Sequence, residues 1–131
     1  MLTRRNLLAG LTLAVALSAA GAANAADRAL FTQVAFEAAQ KAGKPMLIEV
    51  TAPWCPVCKA QKPILSELTA APKFKDLAIF EVDYDSQKDV LKTLNVQMQS
   101  TLIAFKGGKE VGRSTGDTNK SSIASLLDKV I

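Results

Sequence analysis

Trp54-Cys55-Pro56-Val57-Cys58 holds the only tryptophan and the only two cysteines of this chain. Two cysteines separated by two residues can switch between a dithiol and a disulfide when they open a helix. The dipole and the free N–H groups of the helix N-terminus stabilise a thiolate at the first sulfur. That thiolate can attack a disulfide of another molecule, and the second cysteine can resolve the mixed disulfide. The stretch therefore predicts a nucleophile at Cys55 and a resolving residue at Cys58.

The two other common roles for a cysteine pair are a structural disulfide and a zinc site. A disulfide across so short a loop removes little entropy from the unfolded chain, because the effect grows with loop length. A structural zinc site needs four cysteine or histidine ligands, and the chain has two cysteines and no histidine. Copper is also disfavoured, since histidine is absent and methionine is scarce. A redox-active pair Cys55–Cys58 without metal or other cofactor is the favoured interpretation, and a structural disulfide is the alternative.

Residues 1–25 have the pattern of a secretory signal peptide. Two adjacent arginines supply positive charge, residues 7–20 form an uncharged apolar run, and residues 23–25 read Ala-Asn-Ala, a small-residue cleavage site. We expect cleavage after Ala25, and the alternative is an uncleaved signal that anchors the protein in a membrane. The paired arginines also resemble a twin-arginine signal, which leaves that export route and the general one equally open.

Residues 26–131 are of ordinary length for one domain. The full chain has a formal net charge of +4, and removal of the two arginines in residues 1–25 leaves +2. So small a charge gives no reason to expect nucleic acid or an anionic membrane as a partner. Export would place the cysteines in an oxidising compartment. We therefore expect a periplasmic protein.

Apolar patterning after residue 26 predicts alternating helices and strands. The predicted helices cover residues 32–42, 56–68, 87–94 and 119–130, and the predicted strands cover residues 46–50, 78–82, 101–105 and 110–114. Strands separated by helices pair in parallel, and Gly107-Gly108 predicts a hairpin whose second strand is antiparallel. The order of elements predicts an α/β fold, a mixed four-stranded sheet with helices on both faces.

Details of two helices are also predicted. Apolar residues at helical spacing should form the buried face of the helix that begins at Pro56: Val57, Ala60, Ile64, Leu65 and Leu68. Pro63 lies inside that helix, so a kink is expected there. Asp85 or Ser86 should cap the helix that follows the second strand.

This order of elements, together with Trp-Cys-Pro-Val-Cys, resembles the thioredoxin family. The resemblance covers nearly all of residues 26–131. Residues 47–50 look like the family's core strand before the active site, and Lys59 follows the second cysteine as in many thioredoxins. Pro63 matches the proline of the active-site helix, and residues 101–108 look like the late strand and hairpin. The first predicted helix is most similar to that of periplasmic thioredoxin-like domains, including the C-terminal domain of transmembrane thiol-disulfide interchange proteins.

The resemblance implies roles for residues around the cysteines. Trp54 should form a flat apolar surface that shields the site and meets partners, and ordinary packing of a large aromatic side chain is the alternative. Glu49 stands where the family has a buried aspartate, so it could accept the proton of Cys58 during exchange. Its longer side chain leaves open that it reaches solvent instead. Pro56 and Val57 should tune the reduction potential, but neither brings a charge that would set the direction of electron flow.

The expected substrate groove departs from the family pattern at Ser100. The family has a cis-proline at this position, just before the residue that corresponds to Thr101. A cis bond before a non-proline residue costs about 2.5–4 kcal/mol, so we expect the Gln99–Ser100 bond to be trans unless its surroundings hold a costly cis form. The Ser100 hydroxyl could hydrogen-bond a thiolate, and the Gln99 backbone should still pair with an extended partner segment. Loop variation without functional effect is the alternative.

These observations predict an exported, monomeric thiol-disulfide oxidoreductase that reduces disulfides of envelope proteins, for example cytochrome c maturation components. A membrane thiol-reductant transporter should supply its electrons. The proline after Cys55 is more like that of disulfide-introducing proteins, so an oxidant that introduces disulfides is the alternative among enzymes. A binding or assembly module with incidental redox activity is the alternative from another class.

Overall fold

The computed structural model describes residues 26–131. In chain order the elements are β1 (Asp27–Leu30), α1 (Gln33–Lys41), β2 (Met46–Thr51), α2 (Pro56–Thr69), a 3-10 turn (Pro72–Phe74), β3 (Ala78–Asp83), α3 (Lys88–Thr93), β4 (Thr101–Lys106), β5 (Lys109–Thr115) and α4 (Lys120–Asp128). The predicted signal peptide lies outside the described residues. No helix in the described part of the chain is both long and apolar enough to cross a membrane.

The sheet is mixed, in the strand order β1-β3-β2-β4-β5. β1 and β2 both run parallel to β3, whereas β4 is antiparallel to β2 and β5 is antiparallel to β4. The prediction of an α/β mixed sheet is confirmed, but the sheet has five strands rather than four. The extra strand, β1, is exposed along its whole length. Its sequence, Asp-Arg-Ala-Leu, shows neither an apolar run nor a clean alternation, because the backbone ladder with β3 and not burial holds it in place.

The two faces of the sheet carry separate clusters of buried side chains. Alternation along β2 sends Met46, Ile48 and Val50 to the cluster that also contains Phe36 of α1 and Leu91 of α3. The opposite cluster combines Leu47 with side chains of α2 and α4, among them Leu65, Ile123 and Leu127. Side chains two residues apart on a strand share a face, so Glu49 lies on the same face as Leu47, beneath α2.

The buried face of α2 differs from the predicted one. The buried residues are Cys58, Gln61, Leu65 and Thr69, whereas Ala60 is exposed and Val57, Ile64 and Leu68 are only half-buried. Apolar patterning predicted Leu65 correctly and included the half-buried Ile64 and Leu68, which pack against the core, but it missed the buried polar residues Gln61 and Thr69. Pro56 occupies the first helical turn and Pro63 lies inside the helix, both as predicted.

Two turn predictions have different outcomes. The hairpin between β4 and β5 is confirmed: Gly107 and Gly108 both have positive φ, 57° and 79°, which suits a two-residue turn with right-handed strand twist. The predicted cap of α3 is wrong, since Gln87 occupies that position and makes no side-chain capping bond. The carboxylate that accepts from the backbone N–H groups of Asp85 and Ser86 belongs to Asp83.

Candidate active site

Cys55 and Cys58 lie at the N-terminus of α2, just beyond the C-terminal end of the central strand β2. Cys55 is the N-cap residue, and its sulfur accepts a hydrogen bond from the Cys58 backbone N–H at 3.1 Å. The two residues form a disulfide, with their Cα atoms 5.3 Å apart. The helix N-terminus thus supplies N–H groups to the first sulfur, which is the arrangement that favours a thiolate there after reduction.

Both cysteines are buried in the oxidised protein, each with 1% of its surface exposed. Cys58, one turn into the helix, is no more deeply buried than Cys55 at its N-terminus. They pack with Ala52, and the half-buried Val57 and Tyr84 complete the cluster. Attack by a partner sulfur on Cys55 therefore needs close apposition of a partner surface, because little of the disulfide is open to solvent.

Trp54 is exposed beside the disulfide, with 55% of its surface in solvent. Its indole N–H donates to the carboxylate of Asp85 at 2.9 Å, and its ring meets that of Tyr84 edge to face. The ammonium of Lys88 lies 4.0 Å from the centre of the Tyr84 ring. Trp54 is therefore not packed into the core as an ordinary buried aromatic residue. Its tether to Asp85 was not predicted, because the two residues are 31 positions apart in the chain.

Glu49 is buried, with 1% of its surface exposed, so the alternative that it reaches solvent is wrong. One carboxylate oxygen accepts a hydrogen bond from the guanidinium of Arg28 on β1. The other oxygen is buried and has no hydrogen-bond partner within the described residues. The same Arg28 nitrogen lies 3.1 Å from Glu81, which also accepts from Lys62 at 3.0 Å. A chain of four alternating charges therefore runs from the buried carboxylate to the surface.

No sequence pattern indicated that Arg28 lies next to the site. The sequence of the short exposed strand β1 does not indicate that one of its side chains reaches Glu49, which lies two strands away in the sheet. The order β1-β3-β2 places Arg28 across β3 from Glu49. Only a long, flexible side chain can span that separation, and arginine is the residue whose forked guanidinium can serve two carboxylates.

The Gln99–Ser100 bond is trans, as expected, since the described residues contain no cis peptide bond. Ser100 has φ of 60°, a left-handed conformation that is uncommon for a residue other than glycine. Its N–H donates to the carbonyl oxygen of Val50 at 2.8 Å, and the Cys58 sulfur lies 3.9 Å from that same oxygen. The segment Gln99-Ser100-Thr101 therefore lies beside the disulfide, where the sequence placed the substrate groove.

The Ser100 and Thr101 hydroxyls are both engaged locally. The Ser100 hydroxyl donates to the carbonyl oxygen of Gln99 at 2.5 Å, and this bond competes with the suggested bond to a thiolate. The Thr101 hydroxyl donates to the carbonyl oxygen of Met98 at 2.7 Å. The Ser100 side chain therefore has no free donor for a sulfur in the oxidised protein.

Gln61 is a further residue of the site that sequence reasoning missed. It lies one helical turn after Cys58, is 1% exposed, and donates from its side-chain nitrogen to the carbonyl oxygens of Ser100 and Asp117. A glutamine among the apolar residues of a helix gives no pattern that distinguishes a buried side chain from a solvated one. Lys59, two positions earlier in the helix, is exposed.

The family model described as thioredoxin matches residues 28–129. A thioredoxin H-type of Fagopyrum esculentum is 40% identical over 81 residues, which are 62% of this chain and 68% of that protein. A thioredoxin of Chlamydia trachomatis serovar D is 39% identical over 84 residues, 64% of this chain and 80% of that one. The crystal structure of Trxlp from Edwardsiella tarda EIB202 has a TM-score of 0.76 and 42% identity, covering 77% of this chain and 98% of that one.

Proposed function

Because the chain belongs to the thioredoxin family, we propose that it is an exported thiol-disulfide oxidoreductase that acts mainly as a reductant of envelope proteins. The observation that carries the proposal is the Cys55–Cys58 disulfide at the N-terminus of α2, with the Cys55 sulfur accepting an N–H bond. Such a pair stores two electrons when it is reduced. The exposed Trp54 and the segment at Ser100 flank it and offer a surface for a client.

The reaction has two exchange steps. The Cys55 thiolate attacks one sulfur of a client disulfide, which forms a mixed disulfide and releases one client thiolate. The Cys58 thiolate then attacks the Cys55 sulfur, which re-forms the Cys55–Cys58 disulfide and releases the second client thiolate. The protons lost by the two cysteines end on the client thiols. Glu49, on the sheet face beneath α2, is the proposed proton acceptor for Cys58.

The electrons must come from a second dithiol, because each turnover leaves Cys55–Cys58 oxidised. For an exported protein we expect a membrane thiol-reductant transporter as this donor. The location is periplasmic in this proposal, with cleavage after Ala25. N-terminal sequencing of the protein from the periplasmic fraction should begin at Ala26, whereas an uncleaved chain in the membrane fraction would support the anchored alternative. Size-exclusion chromatography should give a monomer.

Reduction of a protein disulfide tests the proposal directly. The mature domain, kept reduced by dithiothreitol, should reduce insulin, and the variant Cys55→Ser should not. Equilibration with thiol buffers then separates reductant from oxidant: a potential near about −270 mV fits the proposed reductant, and one near about −120 mV would support a protein that introduces disulfides.

The alternative from another class is a binding or assembly module in which the redox pair is incidental. It predicts that Cys55→Ser captures the same partners as the wild type. The oxidoreductase predicts instead that Cys58→Ser accumulates mixed disulfides with clients, since the resolving sulfur is missing. Non-reducing electrophoresis of the two variants, recovered from cells, distinguishes these outcomes.

A further inference from the structure

Gln61 makes two hydrogen bonds that join α2 to two separate loops. Its side-chain nitrogen donates to the carbonyl oxygen of Ser100 at 3.2 Å and to that of Asp117 at 2.8 Å. A glutamine amide has two N–H donors, so both are used. The residue is 1% exposed, and its side-chain oxygen is buried without a partner in the described part of the chain. Burial of an unpaired amide oxygen costs folding free energy. That the amide is buried despite this cost indicates that its two hydrogen bonds have a role.

The bond from Gln61 to Ser100 holds a backbone conformation that is not the lowest in energy for a serine. Ser100 has φ of 60°, and a residue other than glycine stays in this region only when its surroundings fix it. Three bonds do so: Gln61 and the Gly116 N–H both donate to the Ser100 carbonyl oxygen, and the Ser100 N–H donates to Val50. Gln61 supplies the only side chain among these three contacts.

The segment held in this way lies at the sulfurs. The Val50 carbonyl oxygen that receives the Ser100 N–H is 3.9 Å from the Cys58 sulfur. Gln61 follows Cys58 by one turn of the same helix. One rigid element therefore carries both the redox pair and the amide that fixes the backbone beside it. Displacement of this backbone relative to the sulfurs would require the Gln61 bonds to break.

We propose that Gln61 is a positioning residue for client binding: it holds the Ser100 backbone, so that the neighbouring Gln99 backbone can pair with an extended client segment beside the Cys55–Cys58 disulfide. The inference rests on the proposed oxidoreductase function. Clients of this kind are polypeptides with a disulfide in an extended, accessible stretch, because pairing uses the main chain of the partner. A small disulfide has no such main chain and reacts without the aid of this segment.

The test compares two substrates in the reduced protein. Gln61→Met keeps the length and approximate volume of the side chain but removes both donors. We expect its second-order rate constant for insulin reduction to fall about five- to tenfold, the size expected for loss of one or two hydrogen bonds. Its rate constant for hydroxyethyl disulfide should stay within about twofold of the wild type, because the sulfurs and the helix N-terminus are unchanged.

Thr69→Val is the matched control. Thr69 is also buried on α2, and its hydroxyl donates to the Leu65 carbonyl oxygen at 2.7 Å. The variant therefore loses a buried hydrogen bond of the same helix away from the sulfurs, and both of its rate constants should match the wild type. Equal slowing of both substrates in Gln61→Met, or no slowing of either, overturns the inference. Failure of the wild type to reduce insulin overturns the proposed function itself.

A measurement on the wild type covers the case in which Gln61→Met does not fold. The side-chain amide protons of Gln61 should exchange with solvent at least about tenfold more slowly than those of the exposed Gln97, because the former are buried and bonded. Nuclear magnetic resonance resolves the two amides. Equal exchange rates for Gln61 and Gln97 would show that the bonds to Ser100 and Asp117 are not maintained in solution, and the inference would then fail.

Discussion

Arg28 on the edge strand β1 donates a hydrogen bond to Glu49, the buried carboxylate on the strand that leads to Cys55. Arg28 also lies 3.1 Å from Glu81, and the two glutamates are register partners on β2 and β3. A single guanidinium therefore offsets two neighbouring negative charges. Without it, a carboxylate would remain buried next to a like charge, which is among the costlier arrangements in a protein interior.

Arg28→Met should destabilise the domain by about 1–3 kcal/mol. Loss of one partner of a buried pair costs about 3–5 kcal/mol, and we reduce that figure because the Arg28 side chain is 31% exposed. Urea unfolding measures the change. Lys73→Met, which breaks the exposed pair with Asp128, is the control and should cost at most about 1 kcal/mol. In a Glu49→Gln background Arg28→Met should cost less, and an equal cost in both backgrounds would contradict the pairing.

Glu49→Gln should slow the second exchange step more than the first. The amide keeps the size of the side chain but cannot take the Cys58 proton, and general-base catalysis contributes typically about 100-fold or more. Stopped-flow measurement with a chromogenic disulfide should show formation of the mixed disulfide at the wild-type rate and its resolution slowed at least about tenfold. Wild-type resolution in the variant would rule out Glu49 as the proton acceptor.

Ser100→Gly should yield a more stable protein than Ser100→Ala, by about 1 kcal/mol. Both changes remove the hydroxyl that bonds to the Gln99 carbonyl oxygen, but only glycine adopts φ of 60° without a steric penalty of about 1–2 kcal/mol. The two urea midpoints give the difference, and the lost hydroxyl cancels in the comparison. An alanine variant as stable as the glycine variant would mean that the left-handed backbone is not maintained in solution.

Asp85→Ala should loosen Trp54, whose indole N–H loses its acceptor. As Trp54 is the only tryptophan, its fluorescence anisotropy decay reports on this side chain alone. We expect a larger fast component in Asp85→Ala than in the wild type. Asp85→Asn retains an acceptor oxygen and serves as the control, with a decay close to that of the wild type. Identical decays for all three proteins would show that the bond does not restrain the indole.

The Glu110–Arg113 pair gives a measurable pH dependence of stability. The hydrogen bond from Arg113, with a smaller contribution from charge attraction, holds the pKa of Glu110 below its ordinary value despite partial burial. A lowered folded-state pKa means that the pair stabilises the fold above the unfolded value of about 4.3 and that this contribution is lost as the pH falls through the folded-state value.

Wild type and Glu110→Gln should therefore differ in stability at neutral pH and converge in acid. The Glu110 side chain is 39% exposed, so the difference should stay below about 1 kcal/mol. Urea unfolding at pH 7 and in acid measures it. A difference that grows toward low pH would have the wrong sign and would contradict the pairing.

The sequence predicted the parts of the molecule that local patterns encode. The apolar run of β2, the cysteine pair after it and the proline at the start of α2 all lie within residues 46–58, and their order alone located the redox pair at a helix N-terminus. The hairpin was predictable for the same reason, since two adjacent glycines specify the turn.

The missed features depend on contacts between residues distant in the chain. Arg28 meets Glu49 across an intervening strand, and Asp85 meets Trp54 from the loop after β3. Gln61 was missed for a different reason. It is polar but faces inward, so the apolar pattern of α2 did not include it. Its partners are backbone carbonyls, which no side-chain pattern can reveal.

Both outer strands of the sheet bear charged side chains. β1 carries Asp27 and Arg28, and β5 carries Lys109, Glu110 and Arg113. Charges on edge strands discourage other chains from adding to the ladder. For the proposed oxidoreductase, uncharged edges would let extended client segments pair with β1 or β5. With those edges charged, a client segment is directed to the backbone next to the sulfurs, the position at which the proposed disulfide exchange takes place.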